Sequence, residues 1–444
     1  MSQKQTVIMG AGIAGLTAGF FLSRGGASVR VLERDRRPGG SILTERKDGY
    51  LVELGPNTVL ANSVQVDELL AASGMAARRL DALKINKKRY ILKDGRLLPL
   101  PAGPLQFLTT PIFSARTKLG LFKEPFIGRA DREETIAQFV NRRLGPEMLE
   151  YAVGPFVSGV YAGDPDKLSV RWAVRKIHAL EAQHGSLIRG AIAKQKGPQP
   201  RGGLFTFPEG LDEWPKALAR AVGSVTYGAA VQRVERDGDG FKVTADIDGT
   251  IETFGAGRVI LTGNARDVDA VLAPVAPEPA LKGMPYAPVA IVALGLDRKA
   301  VSHPLDGFGF LLPQTLNSPL LGCLFTSSLF PGRAPEGKVL LTAFLGGARH
   351  PEILDWDPAS LPGRALETLR PVLGIAGDPE MVLTRVWPEA IPQYNLGHGA
   401  FVARAAALEA RHPGLHFSGN LLHGVSVADC VTNAALLART ILQA

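Results

Sequence analysis

Cysteine is scarce: the 444-residue chain has two, Cys323 and Cys430. Two thiols so far apart exclude a disulfide scaffold and a cysteine-cluster metal site, and they fit a reducing compartment. Histidine pairs at ligand spacing are missing too. His412 and His416 are four apart, but Pro413-Gly414 between them breaks any helical face, so no metal site is expected. No Gly-x-Ser-x-Gly elbow occurs, which leaves a hydrolase triad unsupported. No apolar run reaches the roughly 18 residues of a spanning helix. The nearest approach, Val7–Leu22, is broken by Gly10, Gly12, Gly15 and Gly19. No small-residue cleavage site follows it, so it reads as part of the fold rather than a signal peptide. Internal repeats and low-complexity tracts are absent.

What remains is an ordinary globular composition, with 45% apolar and 21% charged residues. The length predicts two or three subdomains. The 50 glycines and 32 prolines follow no strict period, so they serve turns and close backbone approaches. The formal charge is +8, and it is local. Between Lys84 and Arg132 eleven basic residues face three acids, so the rest of the chain is neutral overall. Such a segment fits a carboxylated ligand, a membrane surface or nucleic acid, or simply a solvated helix face.

Apolar periodicity sets out the elements. Thr6–Met9 reads as a buried strand, Leu16–Arg24 as a helix closed by Gly25-Gly26, and Ser28–Leu32 as a second strand ending at Glu33. Glu133–Leu144 and Val170–Lys194 read as helices, and Lys194–Gly203 as a Pro/Gly-rich connector. Thr226–Val234, Gly240–Ile247 and Arg258–Thr262 read as strands. Pro288–Leu296, Leu320–Phe325 and Val339–Leu345 read as a second sheet. A last strand at Leu415–Ser418 leads to a helix over about Ala428–Leu442.

Within the opening βαβ unit lies Gly10-x-Gly12-x-x-Gly15. Gly10 permits the tight turn, Gly12 lets backbone approach a pyrophosphate, and Gly15 allows close helix–strand packing. The helix N-terminus offers free N–H groups and a partial positive charge to the phosphates. Glu33 is placed to accept from ribose hydroxyls, and an acid there disfavours the 2′-phosphate of NADP. Further on come Arg34-Asp-Arg-Arg-Pro-Gly39-Gly40, then Glu53-Leu-Gly55-Pro56-Asn57. Gly419-Asn420 and Gly424-Val425-Ser-Val427-Ala-Asp-Cys430 lie before the last helix.

Together these stretches resemble the FAD site of the monoamine oxidase-like flavoproteins. The resemblance implies FAD held by Gly10, Gly12, Ala14, Gly15, Glu33, Arg34, Gly39, Gly40, Gly55, Pro56, Asn57, Val231, Gly419, Val425 and Val427. It also implies that the last helix aims its positive end at the flavin N1/C2 carbonyl edge. Further stretches are Phe156–Pro165, Gly307–Pro313, Leu321–Pro331 and Thr342–Gly347. In this order and spacing, across essentially the whole chain, they resemble the oxygen-dependent protoporphyrinogen oxidases.

That second resemblance implies an α/β fold: a Rossmann-type FAD-binding domain, a mixed-sheet substrate domain and an inserted helical domain. The expected division is 1–83, 200–273 and 385–444 for FAD, 84–103 and 274–384 for substrate, and 104–199 for the helices. Arg89 is expected to pair with a propionate, and Leu311, Leu324 and Phe344 to sandwich the tetrapyrrole. Read without the family, those three are plain strand core and Arg89 a solvated charge. Gly163 and Asn57 are placed at the reacting centre. The Gly163 segment offers a carbonyl to a pyrrole N–H, and Asn57 stands where some members carry arginine.

The implied reaction is six-electron oxidation of protoporphyrinogen IX by molecular oxygen, with three hydrogen peroxides, in haem biosynthesis. Coproporphyrinogen III oxidation stays open as an alternative, as do amine oxidase, desaturase and a non-enzymatic flavin module. The resemblance further implies cytoplasmic location with peripheral membrane docking through the apolar, Arg/Lys-spaced segment Pro101–Phe126, though ordinary helical core explains that segment equally well. It implies ferrochelatase as a partner and no nucleic acid. Monomer and homodimer stay open.

Overall fold

A computed structural model of the chain describes residues 5–83, 88–195 and 202–443. Lys84 and Lys87 of the basic segment, and most of the 194–203 connector, lie outside the described residues.

The β-branched run Thr6–Met9 forms the centre of a five-stranded parallel sheet. It pairs with Val29–Glu33 on one side and Arg258–Leu261 on the other, register Met9 to Leu32 and to Leu261. Val225–Tyr227 and Leu415–Phe417 complete the edges. Helices Ile13–Arg24 and Val427–Gln443 cover one face, with Ile8, Leu16, Trp214, Val431 and Ala434 fully buried between the layers. A three-stranded antiparallel sheet, Ala229–Asp237, Gly240–Ile247 and Thr250–Ala256, packs on the other side.

A seven-stranded mixed sheet forms the second layer system. Its order is Met381–Pro392, Tyr286–Asp297, Lys338–Gly346, Leu320–Leu324, Gly307–Leu311, Lys88–Lys93 and Arg96–Pro99. One face packs against helix Leu361–Leu373 through Val292, Leu294, Leu341 and Leu369. The other face is part core, built with Tyr50, Val52 and Leu54, and part open.

Between Lys93 and Phe205 the described chain is largely helical. The continuous helix expected over Val170–Lys194 is instead three: Val170–Ala173, Arg175–His184 and Leu187–Gln195. Val174 leaves helical geometry at φ −114°, ψ 50°, and Gly185 closes the second helix at φ +71°. Likewise the strand expected over Thr226–Val234 divides at Gly228, where φ is +65°. The apolar segment at 101–126 is also broken, into helices Pro104–Thr109 and Ala115–Gly120 and a 3₁₀ turn Leu121–Phe126.

Candidate active site

The first helix opens bare. Gly12 caps it with no side chain, its first turn holds no acid, and nothing lies within 4 Å of a Cβ placed on Gly12. An uncapped helix end facing free space is an anion site. Its neighbours explain the glycine spacing. A Cβ on Gly15 would sit 2.1 Å from the Gly10 carbonyl oxygen, and Gly10 itself has φ +99° with Thr262 Oγ1 2.6 Å from its Cβ position. Glu33, 6% exposed, accepts from the Ala11 N–H at 2.6 Å and the Asp35 N–H at 2.9 Å. Burial raises its carboxyl above the ordinary range despite these two donors.

The Gly39-Gly40 turn folds back onto this loop, with the Gly39 N–H donating to Ala11 O at 2.8 Å. Arg37, which no local motif marks, fastens the turn by donating to the carbonyls of Gly40 (2.7 Å), Ile42 (3.0 Å) and Pro38 (3.2 Å). Arg34 points outward into an ion pair with Asp267 at 2.7 Å, its side chain 62% exposed. Ala14 lies 3.8 Å from the Cβ position of Gly419, so the first helix meets the C-terminal loop. Val231 is half-buried, opposite Ala245 and beside a register shift in its strand pair.

The 53–57 segment crosses the same region. Gly55 passes so close to Ser41 that a Cβ would be 1.8 Å from its carbonyl oxygen. Pro56 follows, and Asn57 donates from Nδ2 to Gly55 O at 3.0 Å while its Oδ1 is buried without a donor. An orphaned acceptor of this kind is what a ligand N–H satisfies. The chain then returns through Gly419 (φ +92°) and Gly424 (φ +94°) into the last helix. Ser426 Oγ accepts from the Asp429 N–H at 3.1 Å and donates to Asp429 Oδ2 at 2.7 Å, which orients the start of that helix. Val425 is half-buried and Val427 buried.

Strand register collects the other predicted residues. Gly309 stands beside Arg89 and opposite Leu324; Leu311 stands opposite Gly322, which stands opposite Phe344. Directly paired residues share a sheet face, so Arg89, Leu311, Leu324 and Phe344 lie on one face. The alternate residues Phe310, Cys323, Ala343 and Leu345 are at most 2% exposed on the opposite face, while Leu311, Leu324 and Phe344 stay half-buried. Arg89 is exposed, its guanidinium 5.4 Å from the Phe308 ring centroid. Its neighbour Lys88 is instead paired with Asp306 at 2.5 Å.

Gly163 follows the helix Gly154–Tyr161, which ends at Ala162 with φ +46°. The Ala162 carbonyl is taken by the Ala348 N–H at 2.7 Å and the Tyr161 carbonyl by Gln393 Nε2 at 2.8 Å. Gly163 has no room for a side chain: its Cβ would meet Leu168 Cδ1 at 2.4 Å and Gln393 Oε1 at 2.8 Å. A cleft bordered by Ser158, Gly163, Leu321 and Gly347 opens beside it. The same helix approaches Leu311 at Gly159, where a Cβ would be 2.8 Å from Leu311 Cδ2. Phe156 and Val160, on the face that carries Gly159, are 47% and 40% exposed. Sequence periodicity does not single these two out, because apolar residues on a helix read as core.

The bare helix end, the glycine approaches and the orphaned Asn57 oxygen fit a dinucleotide with an N–H-bearing ring system. The flavin containing amine oxidoreductase model matches residues 13–442, and the chain belongs to that family. It is an FAD-dependent oxidoreductase. It is 34% identical to the chloroplastic protoporphyrinogen oxidase of Nicotiana tabacum over 96% of this chain and 83% of the relative. It is 30% identical to the coproporphyrinogen III oxidase of Bacillus subtilis (strain 168) over 97% of this chain and 96% of the relative. A crystal structure from Exiguobacterium sp. 255-15 superposes with a TM-score of 0.85 at 23% identity, covering 100% of this chain and 99% of that one.

Proposed function

We propose that this protein oxidises protoporphyrinogen IX to protoporphyrin IX with molecular oxygen. The observation that carries the reading is the single sheet face bearing Arg89, Leu311, Leu324 and Phe344. A tetrapyrrole is a broad apolar ring with carboxylates at its rim. Half-buried apolar side chains take the ring, at roughly 25 cal/mol per Å² buried, and an arginine with no carboxylate partner among the described residues takes a propionate by a charge-assisted bond. FAD held there would supply the two-electron acceptor, with molecular oxygen as the final oxidant.

The residues' own part is binding and orientation, because the reaction asks little acid–base chemistry of the protein. Arg89 fixes the propionate edge; Leu311, Leu324 and Phe344 hold the ring, with Phe156 and Val160 as a second wall. Gly163, kept free of a side chain by Leu168 and Gln393, leaves its carbonyl for a pyrrole N–H. Asn57 Oδ1 accepts from a ligand N–H at the reacting centre. The cofactor contacts proposed are those named from Gly10 to Val427. The FAD, substrate and helical units follow the division given above, with the 384/385 boundary moved past Pro392 because that strand runs unbroken from Met381.

A second reading, oxidation of coproporphyrinogen III, is supported by the 30% identity to the Bacillus relative of that name over 97% of this chain. Arg385 stands opposite Ile291, as Phe344 does, so the face carries more than one arginine and the arginine count favours neither substrate. Incubating the FAD-loaded protein with each porphyrinogen, and following oxygen uptake with product fluorescence, tests both. A higher kcat/KM with protoporphyrinogen supports the first reading and the reverse supports the second. No turnover with either removes both.

Peripheral docking is proposed at the helical segment. Leu105, Leu119, Phe122 and Phe126 are 76%, 67%, 71% and 82% exposed, and Arg116, Lys118 and Lys123 stand among them. An apolar face with interspersed cations fits the surface of an anionic bilayer. No helix among the described residues is long and apolar enough to cross a membrane. Cytoplasmic location at the membrane's inner face and transfer of product to a ferrochelatase complete the proposal.

A further inference from the structure

The turn between strand Met381–Pro392 and helix His398–Arg411 touches both sides of the candidate site. Gln393, 2% exposed, donates from Nε2 to Tyr161 O at 2.8 Å and Ile391 O at 3.1 Å. Two carbonyl acceptors fix the amide's orientation, so its oxygen must face Gly163. The next residue, Tyr394, reaches the other way: its hydroxyl donates to Asn420 O, and its ring stacks on His398 with centroids 4.1 Å apart. His398 donates from Nε2 to Leu422 O at 3.1 Å, and its Nδ1 is buried without a partner. That bond sets the tautomer, and burial lowers the imidazole to about 4, so the ring stays neutral. Backbone bonds tie the turn down between these anchors: Ser169 N–H to Tyr394 O at 2.8 Å and Leu396 N–H to Lys167 O at 3.0 Å.

We propose that this turn is a positioning strap, in which Tyr394 and His398 hold the Asn420–Leu422 loop against the flavin while Gln393 holds the Gly163 turn against the substrate. The inference rests on the FAD reading of the loop before the last helix. Asn420 and Leu422 stand between Gly419 and that helix, whose N-terminal dipole favours negative charge on the flavin only at fixed distance. Each carbonyl held by a buried donor removes a freedom that the loop would otherwise have. The two halves of the strap act on different partners, so their substitutions have different signatures.

Tyr394→Phe keeps the ring stack and removes the Asn420 bond. In reductive titration of the FAD-loaded protein without porphyrinogen, its midpoint potential falls below that of wild type. In turnover, kcat falls about fivefold with KM nearly unchanged, the scale of one lost hydrogen bond. Gln393→Leu raises KM about fivefold and leaves the potential at the wild-type value. His398→Leu and His398→Gln form an independent pair: the leucine variant lowers the potential, and the glutamine variant, which keeps an N–H donor, restores it. Wild-type potential and flavin spectrum in both Tyr394→Phe and His398→Leu overturn the assignment, as does a Gln393→Leu protein with unchanged KM. The potentials need no substrate, so they stand apart from the question of which porphyrinogen is oxidised.

Discussion

At the scale of single residues, two side chains carry separable predictions. Arg89 lies on the face proposed for substrate with no carboxylate partner among the described residues, so its proposed work is one charge-assisted bond. Such bonds are worth about 1.5–3 kcal/mol. Arg89→Leu therefore raises KM for the porphyrinogen by roughly 10- to 100-fold, with kcat within about threefold, in steady-state oxygen uptake. Glu53 tests burial instead. It is 1% exposed, and burial pushes its carboxyl up to about 7. The Thr44 hydroxyl at 2.7 Å, the Leu211 N–H at 2.8 Å and Arg333 at 3.7 Å pull the other way and do not win. The folded protein thus binds this proton more tightly than the unfolded chain. Its contribution is complete below the ordinary carboxylate range and lost as pH rises through about 7. Thermal melts from about pH 5 to about pH 8 are expected to drop by a few degrees more in wild type than in Glu53→Gln. Parallel profiles would contradict this.

At the scale of elements, local sequence carried the strand–turn–helix around Gly10, Gly12 and Gly15, because Gly10 takes a positive φ in the turn and Gly15 must clear the Gly10 carbonyl five residues earlier. Gly15→Ala, with a Cβ 2.1 Å from a backbone oxygen, is expected to leave the purified protein with less than about a tenth of wild-type FAD by absorbance. The alternation that marks Leu311, Leu324 and Phe344 as strand residues was equally legible. That they share a face with Arg89 was not, since that register depends on pairing across more than 200 residues of sequence. Arg34, Arg36 and Arg37 look alike in sequence. Only the fold sends Arg34 to Asp267, Arg36 to Asp248 and Arg37 inward to the Gly39-Gly40 turn. The break at Gly228 falls on a glycine at positive φ, whereas no glycine or proline marks the one at Val174. Tyr394 and His398 lie at a strand–helix junction whose importance comes wholly from distant carbonyls.

At the scale of the whole molecule, the local basic segment divides between two surfaces. Arg89 lies on the sheet face proposed for substrate, and Arg116, Lys118 and Lys123 lie among exposed apolar side chains. That apolar surface is held rigidly from beneath. Glu124, buried between Phe122 and Phe126, accepts from Arg143 at 2.7 Å, Ser186 Oγ at 2.5 Å and the Leu187 N–H at 2.8 Å. Phe122→Ser with Phe126→Ser should leave this network intact. The pair is expected to abolish salt-sensitive co-sedimentation with anionic liposomes while preserving turnover in detergent. Unchanged sedimentation would contradict the docking proposal alone. The central claim concerns the chemistry, and oxygen stoichiometry tests it most directly. With protoporphyrinogen IX as sole reductant, three oxygen molecules should be consumed and three hydrogen peroxides formed per fluorescent porphyrin released. Bound FAD that yields porphyrin no faster than the uncatalysed control would contradict the account.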